Sequence, residues 1–279
     1  CEYGDMMEYI RRNVVDEVFV HLSSQTNLPI NKIIKELEVM GVTVDLNINV
    51  FEMEIPVQRE IERIGNYYTV SFSPKIHSFK QIFFKRVMDI VGAIVGLLIT
   101  GIVTVFLAPA LLIESPGPLF FSQVRVGKNG RRFKIYKFRS MYMDAEERKK
   151  ELMSQNEMEG LMFKMENDPR VTKVGKFIRK TSIDELPQFW NILKGEMSLV
   201  GTRPPTEDEF LQYEGYHRRR LNMTPGLTGL WQVSGRSDTK NFEEIVAMDV
   251  EYIDNWSLKE DIKILFKTVG VVLKGKGAS

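Results

Sequence analysis

Residues 90–113, IVGAIVGLLITGIVTVFLAPALLI, run for 24 positions without a charge between Asp89 and Glu114. As a helix, this stretch reaches about 36 Å, enough to cross a hydrocarbon core of ~30 Å. A buried helix of a soluble domain is the competing reading, and the length and unbroken apolarity argue against it. The flanks decide the topology. Lys80, Lys85 and Arg86 precede the stretch; Arg125, Lys128, Arg131 and Arg132 follow it. Basic residues mark the cytoplasmic side of a membrane segment, so both flanks belong on one side. A straight span satisfies only one of them. A helix that bends and returns through the same leaflet satisfies both, with Gly101 or Pro109 at the bend. The sequence thus predicts three parts: residues 1–77, a basic junction with a re-entrant membrane helix over 78–114, and a polar remainder over 115–279.

Residues 1–77 read as a small α/β piece. Val14–Leu22 is rich in Val and Phe, as a buried strand is. Pro29 then opens a helix with Ile30, Ile33, Ile34 and Leu37 at i, i+3, i+4, i+7 spacing, which Gly41 ends. Val42–Ile48 follows as a second strand. The piece is one βαβ unit of the kind found in Rossmann-like sheets. It carries no G-x-G-x-x-G turn, so a dinucleotide site is not expected, and a structural or regulatory role is. A chain that starts at Cys1 and not at Met reads as part of a longer protein.

Beyond the apolar stretch, Ser115-Pro-Gly-Pro118 is a turn that returns the chain from the membrane. Gly127–Gly130 resembles a hairpin turn between short strands, the second ending at Phe138. Residues 142–165 read as a charged helix with Asp144 and Arg148 at i, i+4. Further helices follow, separated by Pro-rich turns. The predicted fold is therefore mixed α/β: a mainly helical domain with a short β-hairpin and a re-entrant helix, preceded by a partial Rossmann-like βαβ piece.

Composition excludes several classes. Of 279 residues, 38 are basic and 37 acidic, a net charge of +1 that argues against a nucleic-acid binder. The single cysteine excludes an internal disulfide framework and a thiolate zinc site. His21, His77 and His217 are scattered and form no H-E-x-x-H, so a zinc hydrolase is not expected. The neutral total hides a polarised chain, because residues 85–139 hold nine basic side chains against two acids. That band surrounds the apolar stretch and suits anionic headgroups and phosphates.

The block from Asn167 to Asn191 contains the adjacent acids Asp184 and Glu185. An arbitrary Asp-Glu pair is usually a solvated helix face. Here Arg170, Lys173, Lys176, Arg179 and Lys180 precede it, and Leu186, Phe189 and Trp190 follow. Such a site can hold anionic phosphates beside a carboxylate nucleophile, with a cation screening the repulsion.

Eight motifs agree in order with one family. They are Lys85–Asp89, Ser115–Pro118, Lys137-Phe-Arg-Ser-Met141, Asp168-Pro-Arg-Val-Thr172, Ser182-Ile-Asp-Glu-Leu-Pro-Gln188, Met197–Pro204, Pro225–Arg236 and Asp249–Leu258. Through them, residues 80–279 resemble the bacterial sugar transferases, monotopic polyprenyl-phosphate hexose-1-phosphate transferases that start capsule and exopolysaccharide units. Residues 1–77 look like the end of the Rossmann-like domain of larger members. One departure is Thr100-Gly101-Ile102, where the family often has Ser-Pro at the helix bend.

The resemblance implies transfer of a sugar phosphate from a UDP-sugar to undecaprenyl phosphate, with release of UMP, at the cytoplasmic face of a bacterial inner membrane. It implies Asp184 as the nucleophile forming a covalent phosphosugar-enzyme, Glu185 as its catalytic neighbour, and Mg²⁺ as cofactor held by Asp184 and Asp249. Arg179, Arg203, Arg236, Lys137 and Arg139 become the phosphate- or substrate-binding candidates, since guanidinium suits phosphate oxygens. For Lys137 and Arg139 a lipid-headgroup role competes. If the Asp184 segment is helical, Arg179 lies about one and a half turns before it. Partners implied are the UDP-sugar, undecaprenyl phosphate and membrane lipids, with no nucleic acid; a homo-oligomer is left open. A non-catalytic membrane scaffold of a polysaccharide assembly complex is the alternative, and a glycosyltransferase releasing UDP is the third reading. The sugar itself is not legible.

Overall fold

The computed structural model describes residues 3–21, 29–47, 58–65, 67–73, 78–152, 165, 168–234 and 241–273. Helix α1 (Tyr3–Arg12) leads into strand β1 (Glu17–Val20), helix α2 (Ile30–Val39) and strand β2 (Thr43–Asn47). Ile33, Ile34 and Leu37 are buried on one face of α2, and Gly41 follows the helix at φ +76, a left-handed value suited to glycine. β1 and β2 pair in parallel with Val18 opposite Val44, so the expected strand–helix–strand unit is present. Strands β3 (Gln58–Ile64) and β4 (Tyr67–Ser73) then extend the sheet, which the sequence reading did not anticipate. Both are antiparallel additions, and the order β1-β2-β4-β3 makes the sheet mixed. The reason β3 was missed is visible in Gln58-Arg-Glu-Ile-Glu-Arg-Ile64, whose apolar positions are too sparse for a strand signal.

The apolar stretch lies within helix α3 (Phe79–Glu114), 36 residues long, which runs through Gly101 and Pro109 without a break. Only 17% of its most apolar window is buried, so it is not the core helix of a soluble domain. Phe83, Val91, Leu98, Ile102, Val105 and Phe106 are all exposed. Its N-terminal half is fixed by buried polar groups. Lys85 donates to Asp261 at 2.6 Å and to the Val200 carbonyl at 2.9 Å, and Asp89 accepts from Ser198 Oγ and Leu199 N, both at 2.9 Å. Glycine brings the helix close to its neighbours: a Cβ on Gly96 would lie 2.3 Å from the Phe189 ring. The C-terminal end is also tied down. Leu111 packs with Phe138 and Ile178, and the Glu114 carboxylate accepts from Lys173 N (2.6 Å) and Val174 N (2.8 Å).

After Ser115–Pro118 comes the expected antiparallel hairpin, β5 (Phe120–Val126) and β6 (Arg132–Phe138), with Phe121 opposite Lys137. Helix α4 (Ala145–Leu152) occupies the start of the expected 142–165 helix, and Asp144 and Arg148 form their ion pair at 3.8 Å. The rest of that predicted helix, apart from residue 165, lies outside the described residues. Helix α5 (Lys173–Lys180), a 3-10 helix over Ile183–Gln188 and helix α6 (Phe189–Lys194) follow in one tight succession. Strand β7 (Ser198–Val200) and helix α7 (Glu207–Leu211) precede a further 3-10 helix over Tyr216–Leu221. Strand β8 (Gly226–Thr228) pairs with β7 in parallel, and helices α8 (Leu230–Val233), α9 (Phe242–Asp254) and α10 (Leu258–Leu273) are the last elements among the described residues. Ile192, Met197, Val200, Tyr252, Trp256 and Ile264 form the main core, against which Ala93 of α3 packs.

Candidate active site

Asp184 and Glu185 sit in the first turn of the 3-10 helix. Thr172 caps the start of α5 by accepting from Gly175 N at 2.8 Å, and the helix ends with Arg179 and Lys180. The chain does not continue as a helix into the acidic pair, as the spacing argument for Arg179 assumed. Ser182 adopts φ 55, ψ 17, a left-handed conformation that a non-glycine residue rarely takes. That turn redirects the backbone and brings the acids towards β6. The strained residue stands two positions before Asp184, where backbone strain is often stored at functional sites.

The hairpin supplies the cation. Lys137 Nζ lies 2.6 Å from Glu185 Oε1 and 3.9 Å from Asp184 Oδ2. Asn191, fully buried at the base of α6, holds strand and helix in register. Its Oδ1 accepts from Tyr136 N at 3.2 Å and its Nδ2 donates to the Lys134 carbonyl at 2.6 Å. Asp184 is 7% exposed. Burial pushes its carboxyl up, to about 6, and adjacent Glu185 adds to this, while Lys137 and Arg179 oppose it. Glu185 moves the other way. Burial works against its charge, but Lys137, Arg203 and a hydrogen bond from Gln188 hold it below the usual carboxylate range. Two adjacent acids are thus driven apart in acidity, Asp184 upward by burial and Glu185 downward by its bond to Lys137.

The site predicts its own pH dependence. If ionised Asp184 reacts, kcat/KM rises with pH through about 6, as the carboxylate forms. Lys137→Met removes the largest influence opposing that shift, so the acidic limb moves to higher pH. A pH–rate profile of both proteins checks this, and coincident limbs contradict it.

Arg179 and Arg203 flank the pair differently. Among the described residues the Arg179 guanidinium makes no hydrogen bond, and it acts on Asp184 and Asp168 through its charge. Arg203 donates Nη1 to Glu209 at 3.2 Å and acts on Glu185 through its charge. Arg139 does not join them. It is 6% exposed, donating to the Ser115 carbonyl and, at 3.2 Å, to the Pro116 carbonyl, so it holds the turn after α3. Arg236 lies outside the described residues. Asp249 is 1% exposed and paired with Arg220 at 2.7 Å, and the Arg203 charge acts on it as well. Glu209, Asn191 and Ser182 were missed in the sequence, and only the motif around Ser182 and Asn191 offered a signal.

The donor set fits Mg²⁺ in part. That ion keeps several waters and is held by one or two carboxylates together with substrate phosphates. Asp184 and Glu185 meet this requirement; Asp249, spent on Arg220 and closed to solvent, does not. Among the described residues no group of three or more His, Cys, Asp or Glu converges as a metal cage.

Residues 80–275 match the model of the bacterial sugar transferase family, and the chain belongs to that family. It is 51% identical over 266 residues to a protein named galactosyl transferase CpsE from Streptococcus agalactiae serotype III (strain NEM316), covering 95% of this chain and 59% of that one. An undecaprenyl-phosphate galactose phosphotransferase of Salmonella typhimurium is 46% identical over 200 residues, 70% of this chain and 42% of the relative. A UDP-glucose:undecaprenyl-phosphate glucose-1-phosphate transferase of Klebsiella pneumoniae is 33% identical over 274 residues, 95% and 56% respectively. The chain spans about half the length of these curated relatives.

Proposed function

We propose that the chain carries the catalytic part of a phosphosugar transferase, moving a sugar-1-phosphate from a UDP-sugar to undecaprenyl phosphate. The observation that carries this reading is the acidic pair, Asp184 buried and Glu185 partly so, with Lys137 bound to Glu185 and the Arg179 guanidinium, which makes no hydrogen bond among the described residues, acting on Asp184 through its charge. The names of the relatives support the substrate pair.

In the first step an Asp184 carboxylate oxygen attacks the phosphorus that bears the sugar. The bond from that phosphorus to the bridging diphosphate oxygen breaks, and UMP leaves with the electron pair. A phosphate oxygen of the lipid then attacks the same phosphorus, the acyl-phosphate bond breaks, and the Asp184 carboxylate is regenerated. Neither step requires a proton from the enzyme. Arg179 and Arg203 hold the donor's phosphates against the repulsion of the carboxylate. Glu185 keeps Lys137 beside Asp184. We assign Mg²⁺ to the Asp184–Glu185 pair, where it would neutralise diphosphate charge.

The site's place beside α3 supports a lipid acceptor. Thr100 Oγ1 donates at 3.2 Å to the carbonyl of Leu186, inside the 3-10 helix that carries the acids. The apolar helix therefore touches the turn that would receive the lipid phosphate. Both ends of α3 bind the same catalytic body, through Lys85 and Asp89 at one end and Glu114 at the other. A helix so tethered suits a re-entrant hairpin better than a span. Thr100 and Thr104 also bond back to carbonyls four residues earlier, at 2.7 and 2.6 Å, a pattern associated with bending. We place the bend in this region and the catalytic body at the cytoplasmic face of the inner membrane.

The test is a donor screen with undecaprenyl phosphate present, identifying the released nucleotide. UMP supports the transferase. UDP would mean a glycosyltransferase, and no nucleotide from any donor would leave a scaffold.

A further inference from the structure

We infer that Glu209 is the positioning residue for Arg203, aiming its guanidinium at the donor's diphosphate; this rests on the substrate reading above. The arrangement is layered. Glu209 has a side chain 7% exposed, whereas that of Arg203 is 24% exposed, so the carboxylate stands behind the guanidinium, away from solvent. Glu209 Oε2 accepts from Arg203 Nη1 at 3.2 Å and from Thr206 N at 3.0 Å. One oxygen is therefore shared between the backbone and the arginine. The backbone of Glu209 is held as well: its N–H donates to Thr206 Oγ1 at 3.2 Å, completing a reciprocal cap on α7.

The segment that carries Arg203 is also fixed. Arg125 donates to the Pro204 carbonyl at 3.2 Å, Val126 N donates to the Pro205 carbonyl at 3.0 Å, and Arg125 bridges to Thr206. With backbone and one Nη held, the remaining Arg203 donors make no hydrogen bond among the described residues. The guanidinium's charge nonetheless reaches Glu185. An arginine gripped from behind, with donors left over and its charge acting on Glu185, is arranged to receive an anion beside that carboxylate. A planar guanidinium so held offers phosphate oxygens a bidentate contact.

Glu209→Gln tests this in the full chain in its native membrane, because glutamine keeps the side-chain shape and can still serve the cap with its carbonyl oxygen, while the charge that grips the guanidinium is lost. KM for the UDP-sugar should rise about tenfold while kcat changes by less than about threefold, the pattern of lost substrate binding. Combined with Arg203→Ala, Glu209→Gln should add nothing to KM, because the two act as one unit. Thr206→Ala removes the hydroxyl half of the cap but leaves Thr206 N donating to Glu209 Oε2, so it should raise KM by less than Glu209→Gln does. Should Glu209→Gln not fold, Glu209→Asp retracts the carboxylate by one methylene and should raise KM in the same way. An unchanged KM in the glutamate variants while Arg203→Ala raises it overturns the positioning role and spares the substrate reading. An unchanged KM in Arg203→Ala removes that arginine from the donor site, and the positioning role falls with it. An effect of Glu209→Gln that persists fully in the Arg203→Ala background marks a structural residue and also overturns the inference.

Discussion

Asp184→Asn should abolish nucleotide release from the donor, with a loss on the order of 10³-fold or more, while leaving the fold intact. The amide is isosteric with the carboxylate but cannot attack phosphorus. The Lys137–Glu185 pair, at 2.6 Å, is left in place. Stability should not suffer. The folded protein holds the Asp184 proton up to about pH 6, against an ordinary value of 3.8. Charging this group therefore costs the folded state stability as pH rises through that window, and above it the cost is fully present. Asparagine carries no such cost, so the variant should melt no lower than the parent at pH 7 to 8. A loss of activity without loss of stability identifies a group kept for chemistry. The same preparation tests the covalent step: the parent incubated with donor alone should gain one phosphosugar in mass, and the variant none. Retained turnover in the variant would sink the mechanism.

How much of this was legible before the structure differs by element. The apolar stretch declared itself because membrane insertion leaves a continuous signal, and the α2 face because its periodicity is helical. The partnership of Lys137 with Glu185 was not legible, since it joins positions 48 residues apart. Both residues were nominated, but as separate contributors. The three consecutive arginines 218–220 carry no motif, and the sequence alone assigns them no role. The 3-10 helix turns Arg218 and Arg220 inward, at 2% and 1% exposure, and sends Arg219 to Asp254. Arg218 donates to backbone carbonyls of Ile10 and Asn13, joining the N-terminal unit to the catalytic part. Arg139 shows the opposite limit. Its motif suggested phosphate, but the turn after α3 leaves carbonyls that need a donor, and the nearest guanidinium supplies it. Residue type alone does not tell a binding arginine from one that satisfies backbone.

Asp249 is the position where this distinction carries the largest structural consequence. Both it and Arg220 are 1% exposed. Arg220 donates Nε to Asp249 at 2.7 Å and Nη1 to the Tyr213 hydroxyl at 2.6 Å. Removing one partner of a buried pair leaves the other charge without compensation, at a cost of about 3–5 kcal/mol. Set against a total of about 5–15 kcal/mol, that is a large share. Asp249→Ala should accordingly lower the melting temperature on the order of 10 °C, with or without Mg²⁺. Activity should fall with it, because the Arg220 carbonyl accepts from Thr202 Oγ1 at 2.7 Å, next to Arg203. Replacing both charges, Asp249→Leu with Arg220→Met, should recover much of the lost stability, since apolar residues of similar volume often substitute for a buried pair without loss. A metal ligand predicts the reverse pattern: an unchanged melting temperature, and activity restored by excess Mg²⁺. Thermal unfolding across a Mg²⁺ series, read beside turnover, separates the two, and the second pattern would return Asp249 to the metal site.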